Sequence, residues 1–123
     1  TGACGVALGH FYTAIMSKDS ELIESLTESG LRTGDKVWEL PLDDDFKKAI
    51  ESDVADIANT GSPSYGAGTI TAGWFLSNFV ENTKWAHLDI AGTASEVPNS
   101  YLGKGATGAG IRLIVDFALK NQK

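Results

Sequence analysis

Residues 85–90, WAHLDI, alternate between two sets of side chains as a β-strand does, and this short segment limits the possible folds more than any other. A lone strand can neither bury its faces nor satisfy the backbone groups at its edges. Apolar helical patterns lie on both sides of it, at residues 69–80 and 111–119. We therefore predict a helix-rich α/β fold in which this strand belongs to a larger sheet whose other strands are missing from the chain.

Apolar spacing predicts further structured segments nearer the start of the chain. A stripe at residues 3, 4, 7, 8, 11 and 15 predicts a first amphipathic helix. Ser17 or Asp19 is a suitable N-cap for a second helix that runs to about residue 29. Residues 37–41 predict a short extended segment that ends at a proline.

Two segments rich in glycine, residues 59–68 and 103–110, predict loops. The helix after the second loop, residues 111–119, is apolar nearly all round, so we expect it to be deeply packed. Helix N-termini bind anions, which makes the second loop a candidate phosphate cradle. Its glycines match neither the P-loop nor the dinucleotide-binding pattern, so an ordinary loop is the favoured interpretation.

The net charge of −6 is concentrated in one part of the chain. Residues 19–56 carry 12 acidic and 4 basic side chains, whereas residues 57–123 carry 4 acidic and 5 basic ones. No basic patch is present, which argues against nucleic-acid binding by this chain alone. No apolar run approaches the roughly 18 residues of a membrane span. The single cysteine, Cys4, cannot form an internal disulfide and agrees with a reducing compartment.

The chain begins with TGACGVAL, without a methionine and directly in a helical pattern. Natural domains usually begin in exposed polar linkers. We therefore expect the chain to be a piece of a longer protein.

His87 and Asp89 are the most attractive candidates for chemistry, because side chains two residues apart share one face of a strand. A catalytic zinc site needs three protein ligands and an open position. Neither His10 nor Cys4 is an evident third ligand. A core histidine that is hydrogen-bonded to Asp89 is the favoured interpretation, and a metal ligand is the alternative.

Three consecutive aspartates, residues 43–45, precede a short apolar pattern and could suggest a cation site. Favourable placement at a helix N-terminus is the preferred interpretation. No serine stands in the G-x-S-x-G pattern of a nucleophile elbow. Cys4 lies in an apolar stripe without an activating base, so we expect it to be buried and structural. The residues alone therefore provide no complete catalytic set.

Five segments occur in an order that resembles the leucyl (cytosol) aminopeptidase family. They are TGAC with VALG at residues 1–9, VWELPL at 37–42, ADIAN at 55–59, WAHLDIAG at 85–92 and KGATG at 104–108. The resemblance covers essentially the whole chain, and WAHLDIAG is its most specific part. It departs at residues 108–110, GAG, where the family often has Gly-Arg-Pro.

The resemblance implies a three-layer α/β/α catalytic domain with a central mixed sheet, of which residues 1–123 are the C-terminal part, incomplete and without a second domain. It implies a cytoplasmic, hexameric metalloaminopeptidase that removes leucine-like N-terminal residues from peptides with two divalent ions, zinc or manganese. A bridging water attacks the scissile carbonyl, and the metals stabilise the developing charge.

The family's metal ligands and catalytic residues are implied to lie upstream of this chain, within or before an Asn-Thr-Asp-Ala-Glu-Gly-Arg motif. No such motif is present here, because Gly61 follows Asn59 and Thr60. We therefore expect no catalytic residue and no bound metal in this chain, and no activity from it alone. The alternative is a non-catalytic structural or interaction module derived from the same fold.

What the resemblance does assign to this chain is a substrate-pocket wall. Gly2 matches a glycine whose backbone N–H contacts the substrate beyond the scissile bond. Ala91 and Ala94 match positions that line the pocket for the N-terminal side chain. Thr60 matches a position beside the leaving residue.

Overall fold

The sheet at the centre of the protein has three strands and is mixed. The computed structural model describes residues 1–95, 97–98 and 101–122. Strands β1 (Thr13–Met16), β2 (Val37–Glu39) and β3 (His87–Asp89) lie in the order β2-β1-β3. β1 pairs in parallel with β2 and antiparallel with β3. The predicted α/β class with a mixed sheet is confirmed. The expectation that the partner strands of residues 85–90 are missing from the chain was wrong for one neighbour, because β1 pairs with β3 and β2 pairs with β1. β3 itself lies at one edge of the sheet.

The central strand β1 occupies a segment that the sequence assigned to the first helix, so that assignment was wrong. Helix α1 (Gly2–Leu8) ends at Gly9, which adopts a φ of 65°, a conformation that favours glycine and ends the helix. The chain then enters β1, where all four residues are buried and two are β-branched. The helical spacing of Phe11 and Ile15 therefore does not reflect a helix.

Three longer helices complete the fold, together with two 3₁₀ helices at Asp44–Ile50 and Pro63–Tyr65. Helix α2 (Ser20–Thr33) is capped by Asp19, as predicted, but it runs beyond residue 29. Helix α3 (Gly68–Ser77) ends three residues before the predicted end at residue 80, and α4 (Ile111–Lys120) lies within one residue of its predicted range. Among the described residues, no helix combines the length and apolar character needed to cross a lipid bilayer.

The two faces of β1 contact two separate apolar layers. Ala14 and Met16 pack with Cys4 of α1 and Trp74 of α3 on one face. On the other face, Ile15 packs with side chains of α2, β2 and α4. Because side chains alternate along a strand, the fully buried β1 requires a cover on both sides. The result is the predicted three-layer α/β/α arrangement.

Helix α4 is not deeply packed within the described part of the chain, contrary to the prediction. Leu113 is 1% exposed, whereas Ile114 and Val115 are each 52% exposed. The helix contacts α2 along one side only, where Asp116 accepts a hydrogen bond from Arg32 at 2.6 Å. An apolar composition all round does not by itself determine which side is covered.

We predict that Leu113→Ala lowers the free energy of unfolding by about 2–5 kcal/mol, because it leaves a cavity between α4 and the sheet. Ile114→Ala is the matched control on the same helix and should cost less than about 1 kcal/mol, because its side chain is half exposed. Urea denaturation measures both. Equal losses for the two variants would contradict this packing.

Candidate substrate-binding site

A buried carboxylate joins the end of β3 to the start of α1. Asp89 is 3% exposed, and its Oδ2 accepts a hydrogen bond from the Thr1 hydroxyl at 2.6 Å. Its Oδ1 accepts from the Thr1 nitrogen at 2.6 Å and from the Ala91 N–H at 3.2 Å. Burial by itself would raise the pKa of the Asp89 carboxyl, but these hydrogen bonds and the positive charge of the chain's amino group at Thr1 lower that pKa below its ordinary value. The carboxylate is therefore held ionised at neutral pH.

The Thr1 side chain extends this junction to helix α3. Its Oγ1 lies 3.0 Å from the Oγ1 of Thr69, the second residue of α3. The same oxygen caps α1 by accepting from the Cys4 N–H at 3.2 Å. Three elements that are distant along the chain, α1, α3 and β3, thus meet at Thr1.

The four positions that the resemblance assigns to the pocket wall lie on segments around this junction. Gly2 follows Thr1 as the exposed first residue of α1. Ala91 is exposed two residues after Asp89, and its N–H donates to that carboxylate. Ala94 is half-buried in the turn that follows, and its N–H donates to the Ile90 carbonyl at 2.9 Å.

Thr60 lies in the loop that approaches α3. The next residue, Gly61, packs so closely on α3 that an added Cβ would lie 2.7 Å from the Thr71 Oγ1. This close approach needs a glycine, and it fixes the exposed Thr60 beside the start of α3.

Two open depressions adjoin each other at Thr1. One, of about 470 Å³, includes Ala91 in its wall, and the other, of about 430 Å³, includes Thr60. Thr1, Asn59 and Ala72 line both. Gly2 and Ala94 line neither depression, but each is close in sequence to a lining residue, Gly2 to Thr1 and Ala94 to Ala91. No sequence pattern marks Thr1, Asn59 or Ala72 as lining residues, because each contributes through the packing of distant segments.

The two depressions differ in chemical character. The one beside Ala91 is walled by apolar side chains of α3 and β3, including Phe75 and Leu88. The one beside Thr60 is lined largely by small residues, among them Gly66 and Gly68. The first suits an apolar side chain, and the second suits an extended backbone that needs close approach.

The described residues do not fit a metal centre. Within them, no three His, Cys, Asp or Glu side chains come together in a group that could hold a metal ion. His87 lines the depression beside Ala91, but the Asp89 carboxylate takes its hydrogen bonds from Thr1 and Ala91 rather than from His87. The predicted hydrogen bond between His87 and Asp89 was therefore wrong, and His87 instead stacks on Trp85 at 6.4 Å between ring centroids.

The remaining candidates have structural roles. Asp43 caps the first 3₁₀ helix through its side chain, which confirms the preferred interpretation of the three aspartates. Cys4 is buried, and burial raises the pKa of its thiol, which donates to the Asp89 carbonyl at 3.4 Å. A buried thiol of raised pKa is a poor nucleophile.

The glycine-rich loop before α4 does not present a free helix N-terminus. The Asp35 carboxylate accepts a hydrogen bond from the Leu113 N–H at 3.3 Å and pairs with Arg112. An acidic side chain of the chain itself thus occupies the position in which a phosphate would be bound. This agrees with the interpretation of residues 103–110 as an ordinary loop.

Comparison with known proteins decides the family. Residues 1–115 match the model of the cytosol aminopeptidase family, catalytic domain. This chain belongs to that family. The motifs that carried the resemblance, at residues 1–9, 37–42, 55–59, 85–92 and 104–108, all lie within the match.

Relatives within the cytosol aminopeptidase family are similar over nearly all of this chain. A probable cytosol aminopeptidase of Geobacter sp. (strain M21) is 52% identical over 118 residues, which are 95% of this chain and 24% of that protein. One of Alkaliphilus oremlandii (strain OhILAs) is 45% identical over 124 residues, which span 100% of this chain and 24% of that protein. The solved structure of a tomato leucine aminopeptidase mutant matches with a TM-score of 0.86 at 36% identity, covering 98% of this chain and 23% of its own. The chain therefore spans about a quarter of the length of these relatives.

The half-buried position of His87 predicts a pH dependence of stability. Burial lowers the pKa of the His87 imidazole, and the nearby Asp89 charge only partly opposes this effect. The folded state favours the neutral ring, whereas the unfolded state takes up a proton near about pH 6.5. The free energy of unfolding should therefore be unaffected by His87 above about pH 6.5 and should decrease as the pH falls below that value. We expect the urea midpoint to drop less between pH 7.5 and 5.5 in His87→Gln than in the wild type.

The other histidine of the chain, His10, is present in both proteins, so the difference between their pH profiles reports on His87. If His87→Gln and the wild type lose the same stability between these pH values, the assignment to His87 is wrong.

Proposed function

We propose that this chain is the C-terminal part of the catalytic domain of a metal-dependent aminopeptidase, in which it forms a wall of the substrate pocket. The observation that carries the proposal is the junction at Thr1, where depressions beside Ala91 and Thr60 adjoin. The substrate would be a peptide with a free N-terminus. The family membership of the chain supports the reaction class, and the junction supports the division of roles.

The local geometry suggests a role for each wall residue. A Cβ built on Gly2 would meet nothing within 4 Å, so the space above the first turn of α1 is open to a substrate backbone. Ala91 would line the apolar depression, which suits a leucine-like N-terminal side chain, and Ala94 would support it from the adjoining turn. Thr60 would lie beside the residue that leaves.

The two divalent ions, zinc or manganese, would be held outside this chain, because the described residues do not assemble a ligand set. The chain would then bind and orient the peptide without activating water, and residues 1–123 alone would be inactive. A cytoplasmic location agrees with the names of the relatives, which are probable cytosol aminopeptidases. A homo-oligomer, such as a hexamer, agrees with the apolar side of α4 that the described residues leave exposed.

The test compares two samples on leucyl p-nitroanilide, with and without added manganese or zinc. The full-length protein that carries this chain should hydrolyse the substrate and lose activity in a chelator, whereas residues 1–123 should show no turnover. Metal-dependent turnover by residues 1–123 would overturn the division of roles. No turnover by the metal-loaded full-length protein on any aminoacyl substrate would favour a non-catalytic module.

We predict that Gly2→Ala separates stability from substrate binding. Among the described residues, the new methyl group meets no atom within 4 Å, and alanine is favoured over glycine in a helix by about 1 kcal/mol, so we expect the full-length variant to be at least as stable as the wild type. The methyl group would occupy space proposed for the substrate, so KM should rise by about tenfold.

Gly5→Ala is the matched control on the same helix. Its Cβ would meet the Gly92 Cα at 3.8 Å, an ordinary contact away from the proposed pocket, so KM should stay within about twofold of the wild type. An unchanged KM in Gly2→Ala, or an equal rise in both variants, would remove Gly2 from the pocket.

A further inference from the structure

We propose that Asp89 is a positioning residue, whose carboxylate fixes the start of α1 relative to the segment after β3 and thereby sets the width of the substrate pocket. This inference rests on the proposed function, because it assumes that Gly2 and Ala91 face a peptide. Asp89 also lies at the wall of the depression beside Ala91, but both of its oxygens bond within the chain, so it would act by positioning Thr1 and Ala91 rather than by binding the peptide.

The first argument is the connectivity of the hydrogen bonds. Both oxygens of Asp89 bond to Thr1, 88 residues away in sequence, and Oδ1 also bonds to the Ala91 N–H. Gly2 follows Thr1 directly, so one carboxylate contacts both segments that carry the proposed wall residues. A shift of either segment against the other would break at least one of these bonds.

The second argument is the strength of this contact. Asp89 is 3% exposed, and its Oδ2 accepts from the Thr1 hydroxyl at 2.6 Å, as expected for a hydrogen bond to an ionised carboxylate. The Thr1 nitrogen, also 2.6 Å from the carboxylate, is the charged amino group of this chain and would be a neutral peptide N–H in the longer protein, so the strength of the contact depends on the hydroxyl. In surroundings of low polarity, a buried charge is tolerated only with such partners, and removing them is costly. The position of Thr1 is therefore tightly determined.

The third argument is that the network reaches the opposite wall. The Thr1 hydroxyl contacts Thr69 at 3.0 Å, and α3, which begins there, contributes Ala72 to both depressions and Phe75 to one of them. The Thr1 side chain thus links α1, α3 and β3 around the Asp89 carboxylate. Asp35, whose carboxylate is also nearly inaccessible, has no such connection, because it accepts from the Leu113 N–H of α4 and pairs with Arg112.

The isosteric variant Asp89→Asn tests the proposal in the full-length protein. An amide has one acceptor oxygen and one NH₂ donor, so it cannot accept both from the Thr1 hydroxyl, which bonds to Oδ2, and from the Ala91 N–H, which bonds to Oδ1. We expect KM for leucyl p-nitroanilide to rise by about tenfold, with kcat within about threefold. The preference for leucyl over alanyl substrate, as a ratio of kcat/KM values, should change because the pocket width changes.

Variants of Thr1 provide the rescue test. Thr1→Val keeps the shape but removes the hydroxyl, and it should raise KM in the same direction as Asp89→Asn. Thr1→Ser keeps the hydroxyl and should stay close to the wild type. The double variant Thr1→Val with Asp89→Asn should be less than additive, because both changes remove the same contact.

Asp35→Asn is the matched control, since it also removes a buried helix-capping carboxylate, at a place that lines neither depression. It should lower the melting temperature without changing KM or the leucyl-to-alanyl ratio. If Asp89 had only a structural role, Asp89→Asn would also lower the melting temperature and leave KM and the leucyl-to-alanyl ratio unchanged. In that case kcat would fall equally for the leucyl and alanyl substrates, because less of the protein would be folded. That outcome for Asp89→Asn would overturn the inference.

Amide hydrogen exchange provides a readout that does not need activity. In Asp89→Asn, exchange should become faster at the N–H groups of Cys4 and Ala91, which the Thr1–Asp89 contact orders, and it should stay unchanged there in Asp35→Asn. Unchanged exchange at both amides would overturn the inference. If the wild-type protein hydrolyses no substrate, the proposed function fails, and the exchange data alone decide whether Asp89 holds the two segments together.

Discussion

Strand β1 is buried on both faces, and the rest of the structure depends on this constraint. Its alternating side chains point into two apolar clusters, so helices must cover the sheet on each side. α1 and α3 contribute to one cover, and α2 and α4 to the other. Because β3 pairs antiparallel with β1, the end of β3 lies beside the start of β1, and Asp89 faces α1 and α3 there.

The buried Asp89 carboxylate connects this fold to the candidate site. A charge at a nearly inaccessible position costs free energy unless it is hydrogen-bonded, and here the partners are the Thr1 nitrogen and hydroxyl and the Ala91 N–H. Satisfying the charge therefore requires the segments around Gly2 and Ala91 to lie close together. The hydrogen bonds that stabilise the buried Asp89 charge therefore also hold the two proposed pocket walls next to each other.

The sequence predicts those features that depend on neighbouring residues. The caps at Asp19 and Asp43 follow from local hydrogen bonding, and the strand at β3 follows from alternation. β1 was missed because its Ile15 happens to continue the helical spacing of α1 beyond Gly9. The contact of Thr1 with Asp89 joins residues 88 apart, and no local pattern encodes such a pairing.

Among the described residues, the two carboxylates with nearly inaccessible side chains agree with the proposal that this chain forms a pocket wall and does not carry the reactive groups. Asp35 and Asp89 are each hydrogen-bonded by partners of the chain itself, which leaves neither available as a metal ligand or a general base. The outer edges of β2 and β3 are uncovered among the described residues, as they would be if further strands packed there. Since the chain spans about a quarter of its relatives' length, the reactive groups would be expected on those additional segments. Binding and cleavage would then come from separate stretches of one domain, held in register by contacts such as that between Thr1 and Asp89.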